Sequence, residues 1–135
     1  MKGIKIIDAE DHSDDRGDLF VLEYLKNISF VVKRVYYITN VKADVVRGEH
    51  AHKQLKQAMF CTGGSCTLEY DNGYESMTVV LDHPGKVVLV DPGVWRKIHS
   101  FSPNSTLIVL ASDEYNEKDY IRNYDDFLKY VEENI

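Results

Sequence analysis

The sequence has few cysteines, no long apolar run and no surplus of positive charge. Cys61 and Cys66 are its only thiols, too few for a structural zinc site. No apolar run approaches the roughly 18 residues that a membrane-spanning helix needs. Met1–Gly17 contains five acidic residues and no apolar signal-peptide core, so we expect neither membrane insertion nor export. The formal net charge of −6 argues against a general nucleic-acid-binding surface.

The two cysteines flank Thr62–Ser65, a stretch that we interpret as a hairpin turn because it contains two glycines. The sequence predicts that both thiols are reduced core residues of a cytoplasmic protein, since disulfides are rare in that compartment.

Composition and charge predict one folded domain over residues 1–135. Hydrophobic residues make up 44 % and charged residues 28 %, which excludes a disordered chain. Residues 112–135 carry eight acidic and three basic side chains, so the remainder of the chain is nearly neutral. This nearly neutral part could hold a local basic pocket for a small anion. We expect residues 1–111 to form a barrel and residues 112–135 to form a helical segment, on the residue spacing described next.

Turn residues recur about every ten positions, and most of the segments between them are rich in β-branched and aromatic residues. Many short strands at this spacing favour a sandwich or barrel. From Asp119 onward the apolar residues change to helical spacing. The predicted strands are Leu19–Tyr24, Phe30–Thr39, Gln57–Cys61, Cys66–Tyr70, Met77–Leu81, Val87–Val90, Lys97–Phe101 and Thr106–Ala111.

The most informative segment is Arg47–Lys53, which reads RGEHAHK. Side chains of a strand alternate between its faces, so His50 and His52 share one face. Two such imidazoles can bind a metal, transfer protons or hydrogen-bond to a ligand. Alternatively, they satisfy polar groups inside the barrel.

This segment resembles the first motif of the cupins, and Gly85 with Pro92–Trp95 resembles the second. The resemblance implies an all-β double-stranded β-helix, or jelly-roll, barrel with a short C-terminal α-helix. Gln57 occupies the position of the motif's glutamate, and Arg96 that of the second motif's histidine. Glutamine is a poor metal ligand and arginine cannot be one, so we expect no metal and no cofactor. His99 is the residue that could still complete a metal site.

A second candidate group lies on the strand predicted at Phe30–Thr39. Alternation places Arg34 and Tyr36 on one face, which we expect to line the cavity. A register shift of one residue would instead turn Tyr37 inward. Tyr36 could also be a core aromatic residue with a bonded hydroxyl.

Basic residues recur near these segments, and arginine suits bidentate recognition of phosphate. Trp95 either stacks on a flat ring or lines the barrel. The side chains predicted to bind substrate are Arg16, Arg34, Arg47, Lys53, Trp95, Arg96 and His99.

Over nearly its whole length the chain resembles the dTDP-sugar 3,4-ketoisomerases of dTDP-3-amino-3,6-dideoxyhexose biosynthesis. The segments that carry this resemblance are Asp15–Gly17, Lys33–Ile38, Arg47–Lys53, Gly64–Cys66, Pro92–Trp95, Leu110–Asp113 and Asp119–Arg122. The resemblance implies a cytoplasmic, metal-free homodimer that exchanges N-terminal strands and binds a dTDP-linked 4-oxo-6-deoxy sugar, with neither nucleic acid nor membrane as a partner.

The resemblance also implies roles for individual residues. His50 is the expected base at C3 and carries the proton to C4, while His52 and Tyr36 hold or move the protons on the two oxygens. Arg47 is expected to hold the pyrophosphate. Positions 16 and 96 resemble residues that line the sugar site, and Arg16 favours the galacto product over the gluco product.

Three other functions are compatible with these patterns. One is a dTDP-sugar 3,5-epimerase, which shares the fold but depends on a His–Asp dyad and lacks this HxH arrangement. Another is a metal-dependent cupin, such as a dioxygenase or a hexose-phosphate isomerase. The third is a sugar-binding cupin without catalytic activity.

Overall fold

The computed structural model describes residues 1–134 and consists mainly of antiparallel β-strands. Twelve strands precede one C-terminal helix, α1, at Tyr124–Asn134. The strands are β1 (Ile4–Asp8), β2 (Glu10–Asp11), β3 (Phe20–Val21), β4 (Arg34–Thr39), β5 (Arg47–His52), β6 (Gln57–Thr62), β7 (Cys66–Asp71), β8 (Ser76–Leu81), β9 (Lys86–Val90), β10 (Trp95–His99), β11 (Thr106–Ala111) and β12 (Tyr120–Ile121). This architecture confirms the prediction of an all-β barrel followed by a short helix.

Two five-stranded sheets enclose the core. The first has the order β1-β9-β6-β11-β4, and the second has the order β12-β5-β10-β7-β8. Their inner faces supply a contiguous apolar cluster that includes Met59, Leu68, Tyr70, Leu107 and Val109. Because side chains alternate along each strand, the same inner faces also carry the few polar residues that the barrel buries.

The turn between the two cysteines is not a hairpin. β6 belongs to the first sheet and β7 to the second, so Thr62–Ser65 carries the chain from one sheet to the other. A Cβ atom at Gly63 would lie 2.5 Å from the backbone oxygen of Asn104, which excludes a side chain there. Both cysteines are free and buried, as predicted.

The helix begins later than the sequence pattern predicts. Tyr120 and Ile121 form β12, which pairs with His52 and Ala51 of β5. Helix α1 starts after Asn123, whose side-chain oxygen accepts a hydrogen bond from the backbone N–H of Asp126 at 3.0 Å and caps the helix. The second sheet therefore extends into the segment that we predicted to be helical.

Candidate functional site

Strand β5 holds the two predicted histidines on one face. The imidazole centroids of His50 and His52 are 4.9 Å apart, with their planes at 84°. Ala51 points the opposite way and packs in a cluster with Trp95 and Phe127 beneath helix α1. The period-two alternation predicted from the sequence is thus the observed arrangement, and α1 supports the strand from behind.

A β-bulge near the start of β5 sets the register of the histidines. Gly48 and Glu49 have φ angles of 84° and 57°, and the pairing with β10 shifts between Arg96 and Lys97. Beyond the shift, His50 lies directly opposite Arg96. Directly opposed residues of an antiparallel pair have their side chains on the same face of the sheet. The bulge therefore places the Arg96 side chain beside the His50 imidazole.

His52 is held by an acidic residue far away in the sequence. Its Nδ1–H donates to Asp119 Oδ2 at 3.0 Å, and Asp119 Oδ1 accepts a hydrogen bond from the backbone N–H of Gln54 at 2.7 Å. Tyr120 packs beside both imidazoles, with its ring centroid 5.0 Å from His50 and 4.4 Å from His52. The buried Nε2 of His52 has no hydrogen-bond partner within residues 1–134.

Arg96, Gln57 and Tyr36 form a hydrogen-bonded chain on the inner face. Arg96 Nη1 donates to Gln57 Oε1, and Arg96 Nη2 donates to the Val94 carbonyl oxygen at 3.0 Å. Gln57 Nε2 donates to the Tyr36 hydroxyl oxygen at 2.9 Å. Arg96 and Gln57 are each only 1 % exposed, so these bonds are shielded from water.

Burial and positive charge keep both histidines neutral. Desolvation, followed by the charge of Arg96, lowers the pKa of His50 to about 4. The same two causes, in the same order, lower the pKa of His52 to about 2. Desolvation raises the pKa of Tyr36, although nearby Arg96 opposes it. At neutral pH the site therefore offers two imidazole bases, a protonated phenol and a buried cation.

Strand β4 points the predicted pair inward. Tyr36 bonds to Gln57, whereas Tyr37 is 68 % exposed on the opposite face, so the alternative register is wrong. The guanidinium carbon of Arg34 lies 5.4 Å from the Tyr36 ring centroid. The buried Nε of Arg34 lacks a hydrogen-bond partner within the described part of the chain.

Two predicted binding residues lie on the outer face of the second sheet. Trp95 packs against α1, and His99 Nε2 bonds to Glu69 Oε2 at 2.6 Å. Alternation along β10 explains this, because Arg96 and Ile98 take the inward positions. His99 therefore cannot complete a metal site with His50 and His52. Within residues 1–134, no group of three or more His, Cys, Asp or Glu side chains has the arrangement of a metal site.

The remaining predicted cations are exposed. Arg16 pairs with Asp14 at 2.6 Å in a turn, while Arg47 begins β5 and Lys53 directly follows it. No hydrogen bond within residues 1–134 joins any of the three side chains to the histidines or to Tyr36. The structure thus brings together His50, His52, Tyr36, Arg34 and Arg96.

Sequence reasoning did not assign a role in the site to Asp119, Tyr120 or Gln57. Asp119 and Tyr120 fall in the segment interpreted as a helix start, because a two-residue strand is too short to show periodicity. Gln57 entered only as a replaced metal ligand. Its place at the start of the predicted strand Gln57–Cys61 was a usable signal. Gln57 shares a face of that strand with Met59 and Cys61, and a polar residue among inward-facing apolar residues needs a hydrogen-bonded partner.

Comparison with known proteins identifies the family of the chain. Residues 2–132 match the protein family described as "FdtA: WxcM-like, C-terminal". The chain is 46 % identical over 127 residues to a TDP-4-oxo-6-deoxy-α-D-glucose-3,4-oxoisomerase of Aneurinibacillus thermoaerophilus. That match covers 94 % of this chain and 91 % of the relative.

Two solved structures are similar throughout. One is a His→Asn variant of the 3,4-ketoisomerase QdtA from Thermoanaerobacterium thermosaccharolyticum in complex with TDP-4-keto-6-deoxyglucose. It is 36 % identical, with a TM-score of 0.96 over 100 % of this chain and 98 % of the other. The other is a 3,4-ketoisomerase from Helicobacter canadensis, 42 % identical, with a TM-score of 0.92 over 96 % and 97 % of the two chains.

Proposed function

Because the chain belongs to the FdtA, WxcM-like family, we propose that it is a sugar-nucleotide isomerase that converts dTDP-4-oxo-6-deoxy-α-D-glucose to the 3-oxo isomer. The resemblance inferred from the sequence is confirmed by this family membership. The observation that carries the proposal is the neutral histidine pair held beside a buried arginine and a tyrosine on one face of the barrel.

The reaction moves one carbon-bound proton and one oxygen-bound proton. The C3–H bond breaks and a C4–H bond forms, while the hydrogen on O3 is lost and O4 gains one. An enediolate forms after the C3 proton is removed and before a proton is added to C4. The reaction therefore needs a base, a proton donor and positive charge near the two oxygens. No electrons leave or enter the sugar, so no redox partner is required.

His50 is the proposed base at C3 and the carrier of the proton to C4. Its lowered pKa keeps the lone pair available at neutral pH. The cation of Arg96, opposite it in register, stabilises negative charge on the enediolate. Arg96 thus makes His50 a weaker base but stabilises the enediolate. As negative charge develops on the sugar oxygen, it favours the protonated form of His50.

His52 and Tyr36 are the proposed groups that hold or move the protons on O3 and O4. Asp119 fixes the His52 tautomer, so that the lone pair lies on Nε2. Arg34, which lies beside Tyr36, is proposed to bind the sugar. The exposed cations Arg16, Arg47 and Lys53 remain proposed contacts of the nucleotide, with Arg47 at the pyrophosphate. Trp95 and His99 are not retained, because their strand directs them outward.

The chemistry of Arg96 and Gln57 supports catalysis without a metal. A permanent cation next to His50 repels a divalent ion, and the Gln57 amide is a weak ligand that is already bonded to Arg96. We expect turnover to survive chelation, and metal analysis of the active protein to find less than one equivalent. Loss of activity on chelation, restored by one specific metal, would contradict this part of the proposal.

The proposed product has the galacto configuration at C4, based on Arg16.

The proposed enzyme acts in the cytoplasm, which the two free thiols support. The proposed assembly is a homodimer. The edge strand β4 exposes two apolar side chains that a second copy could cover, Val35 at 56 % and Tyr37 at 68 %. In addition, β1 of a second copy could replace β1 in its pairing with β9, which would exchange the N-terminal strands.

The decisive test is His50→Asn, assayed by NMR with dTDP-4-oxo-6-deoxyglucose. We expect ketone migration to C3 in the wild type and its loss in the variant, with dTDP binding retained. His12→Asn, on an exposed loop residue, is the matched control. Near-normal turnover by His50→Asn would refute the base assignment, and inversion at C5 by the wild type would identify an epimerase instead. Adding a 3-aminotransferase and identifying the aminosugar by NMR determines the configuration at C4.

A further inference from the structure

The buried chain from Arg96 through Gln57 to Tyr36 has a fixed hydrogen-bond direction. A guanidinium only donates hydrogen bonds, so the Gln57 carbonyl oxygen must face Arg96. The Gln57 amide nitrogen must then face Tyr36, where it donates to the hydroxyl oxygen at 2.9 Å. Arg96 is itself anchored, because its other terminal nitrogen donates to the Val94 carbonyl at 3.0 Å.

This direction determines what the Tyr36 hydroxyl can do. A phenol has one hydrogen to donate, and its oxygen here accepts a hydrogen bond from Gln57. The hydroxyl hydrogen is therefore not used on residue 57 and stays available for another acceptor. A donated bond to the phenol oxygen also favours release of that hydrogen, because it stabilises negative charge on the oxygen.

We infer that Gln57 is a positioning residue that keeps the Tyr36 hydroxyl hydrogen directed away from the barrel wall and available to a substrate oxygen. This inference rests on the proposed function, in which Tyr36 serves the oxygens at C3 and C4. It gives the buried amide a role that glutamate, the residue of the metal cupins at this position, could not fill. A carboxylate between Arg96 and Tyr36 would accept from both and would draw the phenol hydrogen toward itself.

Two substitutions separate this role from a purely structural one. Gln57→Glu keeps the shape, gives Arg96 an ion-pair partner and redirects the Tyr36 hydrogen. Gln57→Met removes the polar group, leaving Arg96 with one fewer bond and the Tyr36 hydrogen free. We expect the melting temperature of Gln57→Glu to exceed that of Gln57→Met. We also expect the kcat of Gln57→Glu to be about tenfold lower than the kcat of Gln57→Met, with similar KM values for the two variants. Assays at pH 8 keep His50 neutral in both variants.

A structural role predicts the opposite order of activity, because Gln57→Met leaves a buried cation underbonded. If kcat follows stability, with Gln57→Glu the more active variant, the inference is wrong. A double-mutant cycle of Gln57→Glu with Tyr36→Phe separates the redirected hydrogen from the pairing of the new carboxylate with Arg96, and it also decides if Gln57→Met does not fold. We expect Gln57→Glu to lower kcat by less than twofold in the Tyr36→Phe background, since the hydrogen that it redirects is gone.

If Gln57→Glu lowers kcat as strongly in the Tyr36→Phe background as in the wild-type background, the inference is overturned. So would a Tyr36→Phe enzyme with wild-type turnover, because Gln57 would then have no hydrogen to direct. A wild-type protein that moves no ketone would instead refute the proposed function, which is a separate result from either order of the variants.

Discussion

Asp119 and His52 are joined by a hydrogen bond of 3.0 Å although 67 positions separate them in the sequence. The second carboxylate oxygen of Asp119 is fixed by the backbone N–H of Gln54. Because burial keeps the imidazole neutral, the bond selects the tautomer with the proton on Nδ1 and leaves Nε2 as an acceptor.

Replacing Asp119 with asparagine tests this relationship. The new amide can donate to Nδ1 and so favour the opposite tautomer, with the proton on Nε2. We expect kcat to fall about 100-fold with little change in KM, as measured by the NMR assay of ketone migration. The control is Asp113→Asn, whose carboxylate pairs with Lys33 at 3.6 Å and is half exposed. Equal effects of the two substitutions would show that the tautomer is not controlled by Asp119.

The lowered pKa of His50 predicts an unusual pH dependence. A free imidazole loses its basic form below about pH 6.5, whereas His50 stays neutral until the pH approaches about 4. We therefore expect kcat/KM to hold nearly constant from pH 8 down to about 5 and to fall only below that. Circular dichroism at each pH confirms that the protein remains folded. An acid limb centred near 6.5 would mean that the base is not buried beside Arg96 as described.

The stability of the site depends on the core beneath helix α1. Phe127 is fully buried and contacts Trp95, with ring centroids 5.7 Å apart. We expect Phe127→Ala to lower the free energy of unfolding by about 3–5 kcal/mol in urea denaturation. Leu128→Ala removes a neighbouring side chain that is 37 % exposed, and it should cost less than about 1 kcal/mol. Similar losses for both variants would show that α1 does not pack as described.

Gly48 tests the importance of the bulge for the alignment of His50. Its φ of 84° is left-handed, and a Cβ atom would lie 3.1 Å from the Arg96 carbonyl oxygen. We expect Gly48→Ala to lower the free energy of unfolding by about 1–2 kcal/mol and to reduce kcat, because the His50–Arg96 pairing must shift.

Gly17→Ala is the control for backbone strain alone, since its φ is 145° and no atom lies within 4 Å of the added Cβ. It should destabilise the protein less than Gly48→Ala. A Gly48→Ala enzyme with normal kcat and stability would show that the bulge tolerates a side chain.

Most of the barrel could be predicted because its signals are local. Turn residues separate the strands, and strand alternation requires no knowledge of the partner strand. The segments at Gln57–Cys61, Cys66–Tyr70, Met77–Leu81, Val87–Val90 and Thr106–Ala111 accordingly lie within observed strands. The N-terminal strands were harder: β1 is absent from the prediction, and only Phe20–Val21 of the predicted Leu19–Tyr24 is a strand.

The errors fall where pairing between distant segments decides the outcome. Ile121 has helical spacing relative to Tyr124, yet it pairs with Ala51 in a sheet. The Gly63-Gly64 turn looks like a hairpin locally, but its flanking strands pair with different partners in different sheets. Trp95 was assigned to the site because it adjoins Arg96, and His99 was considered as a residue that could complete a metal site. The inward direction of Arg96 turns both of them outward.

The sequence by itself determined that His50 and His52 share one strand face and that Arg34 and Tyr36 share another, because both follow from residue identity and period-two alternation. Its resemblance to the cupins added that an arginine and a glutamine stand where metal cupins have ligands. Whether Tyr36 or Tyr37 turns inward was left to the structure. Only the tertiary structure decided that Asp119 orients His52, that Gln57 links Arg96 to Tyr36 and that Arg96 lies opposite His50. The physical reason is that these contacts depend on strand register and on a bulge, which the packing of the whole barrel sets.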